Sequence, residues 1–322
     1  MVAVRGAVGD GSAVSVMFTD GSPLSVAART IWYRLRGSRW WHNRAFTPRQ
    51  SIDRTADGFI VRWEGRGEVH ARSLAHLACR GSRAAILASG PSVSQLERPE
   101  RLFQLPVACV NGSVSLPSRL GCRCEYLIVS DPRFIRDKPH LFRLGTRLAD
   151  AVVLDAMTAF AALQFTPDAL VGTTVYLAED VLRPFKQPRP TLEALTADPQ
   201  LIVHPTGRIV FSLDPSRGLG SAGTVAYKAV QVLFGIGYEE LGMFGVDLTD
   251  GPRFYAEQAP APNELDATLS KSIEPAFELV AASLHRTGRR LVNASPASRL
   301  STPGIPKADA NAVLAELCGT GH

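Results

Sequence analysis

Ala84-Ala-Ile-Leu-Ala-Ser-Gly-Pro-Ser92 decides the fold. An apolar run this short, bounded by a turn signal, reads as a strand covered on both faces. Gly90 can adopt backbone angles closed to other residues, and Pro91 suits the first turn of a helix. Ser92 or Ser94 can cap that helix. The nonapeptide therefore predicts strand, tight turn, helix. The same texture recurs outward from it, with strand-like runs at 107–110, 126–129, 151–154, 174–177, 241–246 and 290–293. Helical stretches lie between them at 222–234 and 271–287. The second sets Ile273, Phe277, Val280 and Leu284 near one face and stops at Gly288. Strands alternating with helices predict an α/β fold: a mostly parallel, doubly wound, Rossmann-like sheet with helices on both faces.

The 322 residues are 45% hydrophobic and 20% charged, with a mean hydropathy of +0.03. That balance excludes wholesale disorder and collagen-like or coiled-coil architecture. No apolar run reaches the roughly 18 residues of a spanning helix. The first 18 residues contain Asp10 and three glycines where a signal peptide needs an unbroken apolar stretch, so an unexported protein is expected. Five cysteines, an odd number, argue against a disulfide framework. Cys122 and Cys124 are spaced too closely for a C-x-x-C metal or redox site. A reducing cytoplasm fits.

Residues 1–80 differ from the rest. They are rich in Gly, Ser and Arg, with β-like runs at 13–18 and 59–63 beside Asp20-Gly21 and Asp57-Gly58. They are expected to form a small basic N-terminal extension to a domain spanning 81–322. Pro184, Pro188, Pro190, Pro199 and Pro205 mark 183–207 as a loop or lid. Residues 1–83 hold thirteen Arg and no Lys against six acidic residues, net +7; the whole chain is +5, which leaves −2 for the remainder. The densest basic stretch, 29–44, interleaves Arg with Trp and Tyr. It admits three readings: contact with an anionic membrane or glycolipid, contact with nucleic acid, or a solvated face with its tryptophans in the core. No nucleic-acid motif accompanies it, so a nucleic-acid partner is not expected.

Ligands of a doubly wound sheet bind at the carboxyl ends of the strands, near the reversal of strand order. The residues just after each strand are therefore the candidates. Gly90-Pro91-Ser92 can present helix N–H groups to a phosphate, or can be a capping turn alone. Asn111-Gly112-Ser113 offers an amide with donors and an acceptor, or a plain Asn-Gly turn. Ser130-Asp131 offers a carboxylate to a sugar hydroxyl, or a helix start. Gly218-Leu-Gly-Ser-Ala-Gly-Thr224 enters a helix and supplies a second potential anion-binding turn through Gly220, Ser221 and Thr224. After the 241–246 run come Asp247, Arg253, Tyr255 and Glu257. A cation, a phenol and carboxylates are the group types that stabilise a leaving phosphate and deprotonate a hydroxyl. No P-loop or acidic metal cluster is evident, and no cofactor is expected beyond the donor substrate itself.

Taken in order, Leu87-Ala-Ser-Gly-Pro-Ser92, Val110-Asn-Gly-Ser113, Ser130-Asp-Pro-Arg-Phe134, Gly220-Ser221 and Gly245-Val-Asp-Leu-Thr249 with Arg253-Phe-Tyr255 resemble the lipopolysaccharide-core Kdo transferases. More distantly the chain is similar to the bacterial CMP-sialic-acid transferases. The pterin pyrophosphokinase-like family shares the Gly-Pro-Ser opening, and would imply ATP and Mg²⁺ dependence instead. The resemblance spans about residues 84–300. It implies a metal-independent transfer of a 2-keto sugar acid from CMP-Kdo, or a related CMP-sugar such as CMP-sialic acid, to an anionic glycolipid acceptor. The 29–44 segment would then face that acceptor at the inner membrane. Gly90, Pro91, Ser92 and Asn111 would cradle the cytidylate, Ser221 the sugar carboxylate or the phosphate, and Tyr255 the phosphate. The sialic-acid enzymes place a catalytic His downstream of the strand that ends near Asp247; here none lies between Asp247 and Leu284. The resemblance to the Kdo enzymes, which share an acidic residue there, makes Glu257 the first candidate base; Asp247 is the second, or else a buried strand-end cap, unless the chain is a non-catalytic glycan-assembly protein that keeps the fold without the base.

Overall fold

A computed structural model describes residues 23–249, 252–255 and 268–319. Its strands are β1 (Gln50–Arg54), β2 (Gly58–Trp63), β3 (Gly67–Ser73), β4 (Arg83–Leu87), β5 (Val107–Val110), β6 (Cys124–Val129), β7 (Ala149–Asp155), β8 (Val175–Ala178), β9 (Leu201–Val203), β10 (Val210–Ser212), β11 (Glu240–Phe244) and β12 (Arg290–Asn293). Ten of them form one sheet in the order β1-β2-β3-β8-β7-β6-β5-β4-β11-β12, and β9 pairs with β10 apart. Every pairing from β3 to β12 is parallel. From β4 the chain steps outward through β5, β6, β7 and β8, then returns to β11 on the other flank of β4. Strand order thus reverses between β4 and β11, and the crevice at their carboxyl ends is where such a sheet holds its ligand.

The apolar runs alternate strictly between two cores. Ala85 and Leu87 of β4, Cys109 of β5, Leu127 and Val129 of β6 and Val152 and Leu154 of β7 enter one of them. Ala84, Ile86, Ala108, Val110, Tyr126, Ile128, Ala151 and Val153 enter the other. The first core is closed by the helices Ala156–Phe165 and Ala310–Cys318, through Phe160, Val313 and Leu317. The second is closed by Val225–Gly235 and Glu274–Thr287, through Tyr227, Val230, Phe277 and Val280. Two covered faces explain why the strands read as unbroken apolar runs. The expected stop at Gly288 holds, with φ 69 at the helix end.

Residues 23–80 are joined to the rest more closely than their composition suggests. β1, β2 and β3 form an antiparallel meander, and β3 pairs parallel with β8, so they extend the same sheet. Phe59, Val61 and fully buried Trp63 share the first core, and the Trp63 ring meets Phe160 edge-on at 6.0 Å. The change near residue 80 is one of composition and strand sense, with a common core on both sides of it. The run at 13–18 lies outside the described residues. The proline-rich 183–207 stretch is folded. It carries the short helix Leu192–Thr196 and β9, and Leu182, Leu195 and Val210 make a small core there.

Candidate functional site

Three turns meet where the strand order reverses. The chain leaving β4 runs beside the chain leaving β11: Ala88 N–H donates to Phe244 O at 2.8 Å and Gly90 N–H to Gly245 O at 2.8 Å. Side chains have no room between them. A Cβ on Gly90 would stand 1.8 Å from Asp247 Oδ2 and 2.5 Å from Gly245 O. Glycine is required here by close approach, since the φ of Gly90, −68, is open to any residue. Asp247, 4% exposed, accepts from Ser92 N–H at 3.1 Å and from Ser92 Oγ–H at 2.9 Å. Ser92 has one hydroxyl proton, so Ser295 Oγ, 2.7 Å away, donates to it in turn. Asp247 is thereby the strut of the Gly90-Pro91-Ser92 turn. Its Oδ2 is held by the protein's own donors and is directed at the turn, an arrangement that suits the strand-end cap, the alternative to its place as second candidate base. The helix that follows Pro91 is a short 3-10 segment, Pro91–Gln95, and its serines make no cap bond.

Residues 252–255 lie across the ends of β4 and β5. Arg253 Nη1 donates to Ser89 Oγ at 2.6 Å, and Phe254 N–H to Ser89 O at 3.2 Å. Tyr255 then lies against the end of β5, where a Cβ on Gly112 would stand 2.2 Å from its phenolic oxygen. The Lys138 ammonium sits 5.5 Å from the centroid of the Tyr255 ring. Asn111 takes the left-handed conformation, φ 48, which Asn tolerates better than most residues. Its Oδ1 is buried without a hydrogen-bond partner among the described residues. A buried acceptor left open beside a concave turn calls for a donor from elsewhere. Ser113 has a different task. It accepts from Val110 N–H at 2.9 Å and donates to Leu87 O at 2.6 Å, tying β5 to β4. Arg253, Tyr255, Gly90, Pro91, Ser92, Asn111, Gly112 and Asp247 are thus brought together. Glu257, the first candidate base, lies outside the described residues.

The remaining candidates stand further along the same edge and are engaged locally. Asp131 follows β6 with Ser130. It caps the helix Pro132–Asp137 by accepting Arg133 N–H at 3.0 Å, and Arg133 Nε closes the same pair at 3.0 Å. Ser221 Oγ donates to Asp180 Oδ2 at 2.7 Å, just beyond β8. Gly220 is a packing glycine. Its N–H donates to Gln231 Oε1 at 2.8 Å, and a Cβ there would stand 1.6 Å from Val210 O. Thr224 occupies the N-cap of the helix Val225–Gly235 in an extended conformation, with no side-chain cap bond.

One cluster is not foreseen. Lys228, within the apolar helix Val225–Gly235, reaches the carboxyl end of β7 and donates to Asp155 Oδ2 at 2.8 Å. Only 8% of the Lys228 side chain and 12% of the Asp155 side chain are exposed. Burial draws the ammonium's pKa down, but the carboxylates of Asp155 and Asp180 outweigh it and hold the pKa above its ordinary value. The first of these, Asp155, also caps the helix Ala156–Phe165 through Thr158. Asp155, Asp180 and Ser295 each fall within two residues of a strand end. Extending the strand-end rule to β7, β8 and β12 would have found them; Lys228 has no such signal. Two shallow hollows, about 310 and 420 Å³, lie at the opposite, amino ends of β6 and β7 around Arg123 and Asp150, away from this edge.

No family model matches the chain, and no curated protein matches it. Among solved structures it is similar to the MAf glycosyltransferase from Magnetospirillum magneticum AMB-1, at 13% identity and a TM-score of 0.47, over 72% of this chain and 34% of that one. The chain thus spans about a third of the length of that protein. It is also similar to the sialyltransferase CstII from Campylobacter jejuni in complex with cytidine-5'-monophosphate, at 16% identity and a TM-score of 0.42, over 73% of this chain and 88% of that one.

Proposed function

We propose that this chain is a glycosyltransferase whose donor is a CMP-activated 2-keto sugar acid, a class that includes both CMP-Kdo and CMP-sialic acid. One observation carries the reading: the Gly90-Pro91-Ser92 turn, the Asn111-Gly112 corner and the 253–255 strap, far apart in sequence, lie against one another at the reversal of strand order. In this reading the phosphate lies beside the Gly90-Pro91-Ser92 turn, within reach of Arg253, whose guanidinium is held on Ser89. Asn111 Oδ1 accepts from a ribose hydroxyl or a base amine.

The C2–O bond of the donor breaks as the departing phosphate takes its electron pair, and charge builds on that phosphate. Arg253 and Lys138 supply positive charge and Tyr255 a phenolic proton donor on the side where it leaves. The acceptor hydroxyl adds to the oxocarbenium-like carbon and gives its proton to a carboxylate, the part assigned to Glu257. Such a carboxylate is effective near neutral pH where burial raises its pKa.

Thermal unfolding with CMP, CDP, UDP and ATP tests the binding half, because a ligand bound only by the folded state raises the midpoint. CMP is expected to raise it most, and Asn111→Ala to abolish most of that gain. Release of CMP from CMP-Kdo or CMP-sialic acid in the presence of glycolipid acceptors tests the chemistry. Stabilisation by ATP and Mg²⁺ alone would assign the pyrophosphokinase-like alternative. Binding of CMP without turnover of either donor would assign the non-catalytic one.

A further inference from the structure

The helix Pro23–Leu35 turns an apolar stripe to solvent. Ala28, Ile31, Trp32 and Leu35 recur at the spacing of one helical face. Ile31, Trp32 and Leu35 are 59, 58 and 80% exposed, and they are three of the five large apolar side chains exposed among the described residues. The helix is held to the protein by its other side. There Val26, Arg29, Thr30 and Tyr33 are half-buried, and Arg29 Nε donates to Arg44 O at 2.9 Å. The tryptophans of this segment are not core residues: Trp32 is exposed, and Trp40 and Trp41 are half-buried.

Charge surrounds the stripe. Between Asp20 and Asp53 the chain has six arginines and no acidic residue. Arg34, Arg36 and Arg39 are exposed. The Arg36 guanidinium stands 5.5 Å from the Trp32 ring and 4.1 Å from the Trp40 ring, so cation and indole present one surface. The segment is also fastened to the loop that leaves β8. Arg189 N–H donates to Arg39 O at 2.8 Å, Arg39 Nε to Arg189 O at 2.6 Å, and Asn43 Nδ2 to Gln187 O at 2.7 Å.

We propose that this helix is the surface by which the protein lies on an anionic lipid bilayer. Ile31, Trp32 and Leu35 sink to the boundary of headgroups and acyl chains, and the arginines meet lipid phosphates. A second copy of the chain would bring six arginines against six. A nucleic-acid backbone would take the arginines and leave Ile31 and Leu35 in water. An anionic bilayer satisfies stripe and charge together. The inference goes beyond the donor-site reading and stands or falls separately from it.

The test is co-sedimentation of the full chain with phosphatidylglycerol–phosphatidylcholine vesicles and with phosphatidylcholine vesicles alone. Binding to the first is expected, weakened by added salt, with little binding to the second. Trp32→Glu with Leu35→Glu is expected to lose about tenfold or more in partitioning. Arg34→Glu with Arg36→Glu is expected to lose the preference for anionic lipid. These side chains are exposed, so unfolding profiles should match the wild type; if one variant misfolds, Ile31→Ser carries the same test. Three results would overturn the proposal: a folded wild type that ignores anionic vesicles, a stripe-dependent dimer in sedimentation velocity that forms in their place, or duplex nucleic acid that displaces the vesicles at equal phosphate concentration.

Discussion

Replacing Lys228 by Met, Asp155 by Ser, and then both, separates the energetics of the buried pair from the packing around it. Methionine keeps the unbranched apolar stem of Lys228 and removes the ammonium. Asp155 Oδ2 then loses its 2.8 Å donor, while Oδ1 keeps Thr158 N–H and the Thr158 hydroxyl, both at 3.0 Å. Breaking a buried pair from one side costs about 3–5 kcal/mol. One of the two oxygens stays satisfied, so the low end, about 3 kcal/mol, is expected. Serine at 155 retains an N-cap acceptor for the helix Ala156–Phe165, which limits the cap loss to a few tenths of a kcal/mol. Its cost, about 2–3 kcal/mol, comes from the ammonium left with Asp180 as the remaining carboxylate that acts on it. The double variant removes both charges from a nearly dry site and should lie within about 1 kcal/mol of the wild type, because a buried pair contributes little over apolar groups of similar volume. The coupling between the sites is then about 4 kcal/mol. Urea unfolding followed by far-ultraviolet circular dichroism at neutral pH measures all four proteins. If the single losses simply add in the double variant, the pair is not an energetic unit and the account of the helix held to β7 by charge is wrong.

Other expectations rest on single contacts. Gly90→Ala places a methyl group against Asp247 and the backbone of Gly245; overpacking costs about 1–3 kcal/mol, and loss of the CMP-induced rise in unfolding midpoint should accompany it. Gly112→Ala meets only the far end of Tyr255, so its stability should stay within about 1 kcal/mol of the wild type while the phenol is displaced; turnover should fall more than CMP binding, and unchanged turnover would remove Tyr255 from the leaving-group side. Burial holds the phenols of Tyr126, Tyr227 and Tyr238 above their ordinary value of 10.0. The folded state keeps protons that the unfolded chain releases, as it does for the thiols of Cys109 and Cys318, which burial holds above their ordinary 9.0, so stability should begin to decline as pH passes 9 and decline further past 10. Lys228 acts in the same direction, its stabilisation being lost as pH climbs above 10.5 and through its raised value. Urea midpoints across pH 8–11 check the sign; a midpoint that rises through pH 10 would contradict it.

The parallel sheet was legible because each strand is covered twice, which leaves an apolar run for every register position. Val107-Ala-Cys-Val110 and Arg290-Leu-Val-Asn293 are strands from their first to their last quoted residue for this reason. β1 and β3 were hidden. Gln50–Arg54 alternates weakly, and Gly67–Ser73 places Glu68, His70 and Arg72 outward on a half-solvated face. The N-terminal helix was hidden by its tryptophan and arginines, which suit an exposed stripe as well as a strand or loop. At the site, residue type and strand-end position located Gly90, Asn111 and Tyr255, but roles depend on partners that sequence does not display. Asp247 can be read from sequence as a base or as a strand-end cap, and only its bonds to Ser92 favour the cap. Lys228 sits in an apolar helical run, and nothing local distinguishes a buried partner of Asp155 from a lysine that snorkels to solvent.

The edge as a whole has a charge logic that no single turn reveals. Carboxylates follow four adjoining or nearby strands: Asp131 after β6, Asp155 at the end of β7, Glu179 and Asp180 after β8, and Asp247 after β11. Left open, they would repel a phosphate and a sugar carboxylate arriving together. Each is instead engaged from within: Asp131 by Arg133, Asp155 by Lys228, Glu179 by Arg54, Asp180 by Ser221 and the backbone of Leu182, and Asp247 by Ser92. Engagement by a cation cancels the charge, and engagement by N–H or O–H donors disperses it. What faces the reversal of strand order is then the guanidinium of Arg253 on Ser89 and Lys138 beside Tyr255. That balance favours an anionic donor over a cationic one. It also explains why Asp247→Asn, which keeps the shape but can face Ser92 with a donor in place of an acceptor, should weaken CMP binding through the turn and not through any lost proton transfer. A normal CMP response combined with abolished turnover in Asp247→Asn would instead return Asp247 to the role of base.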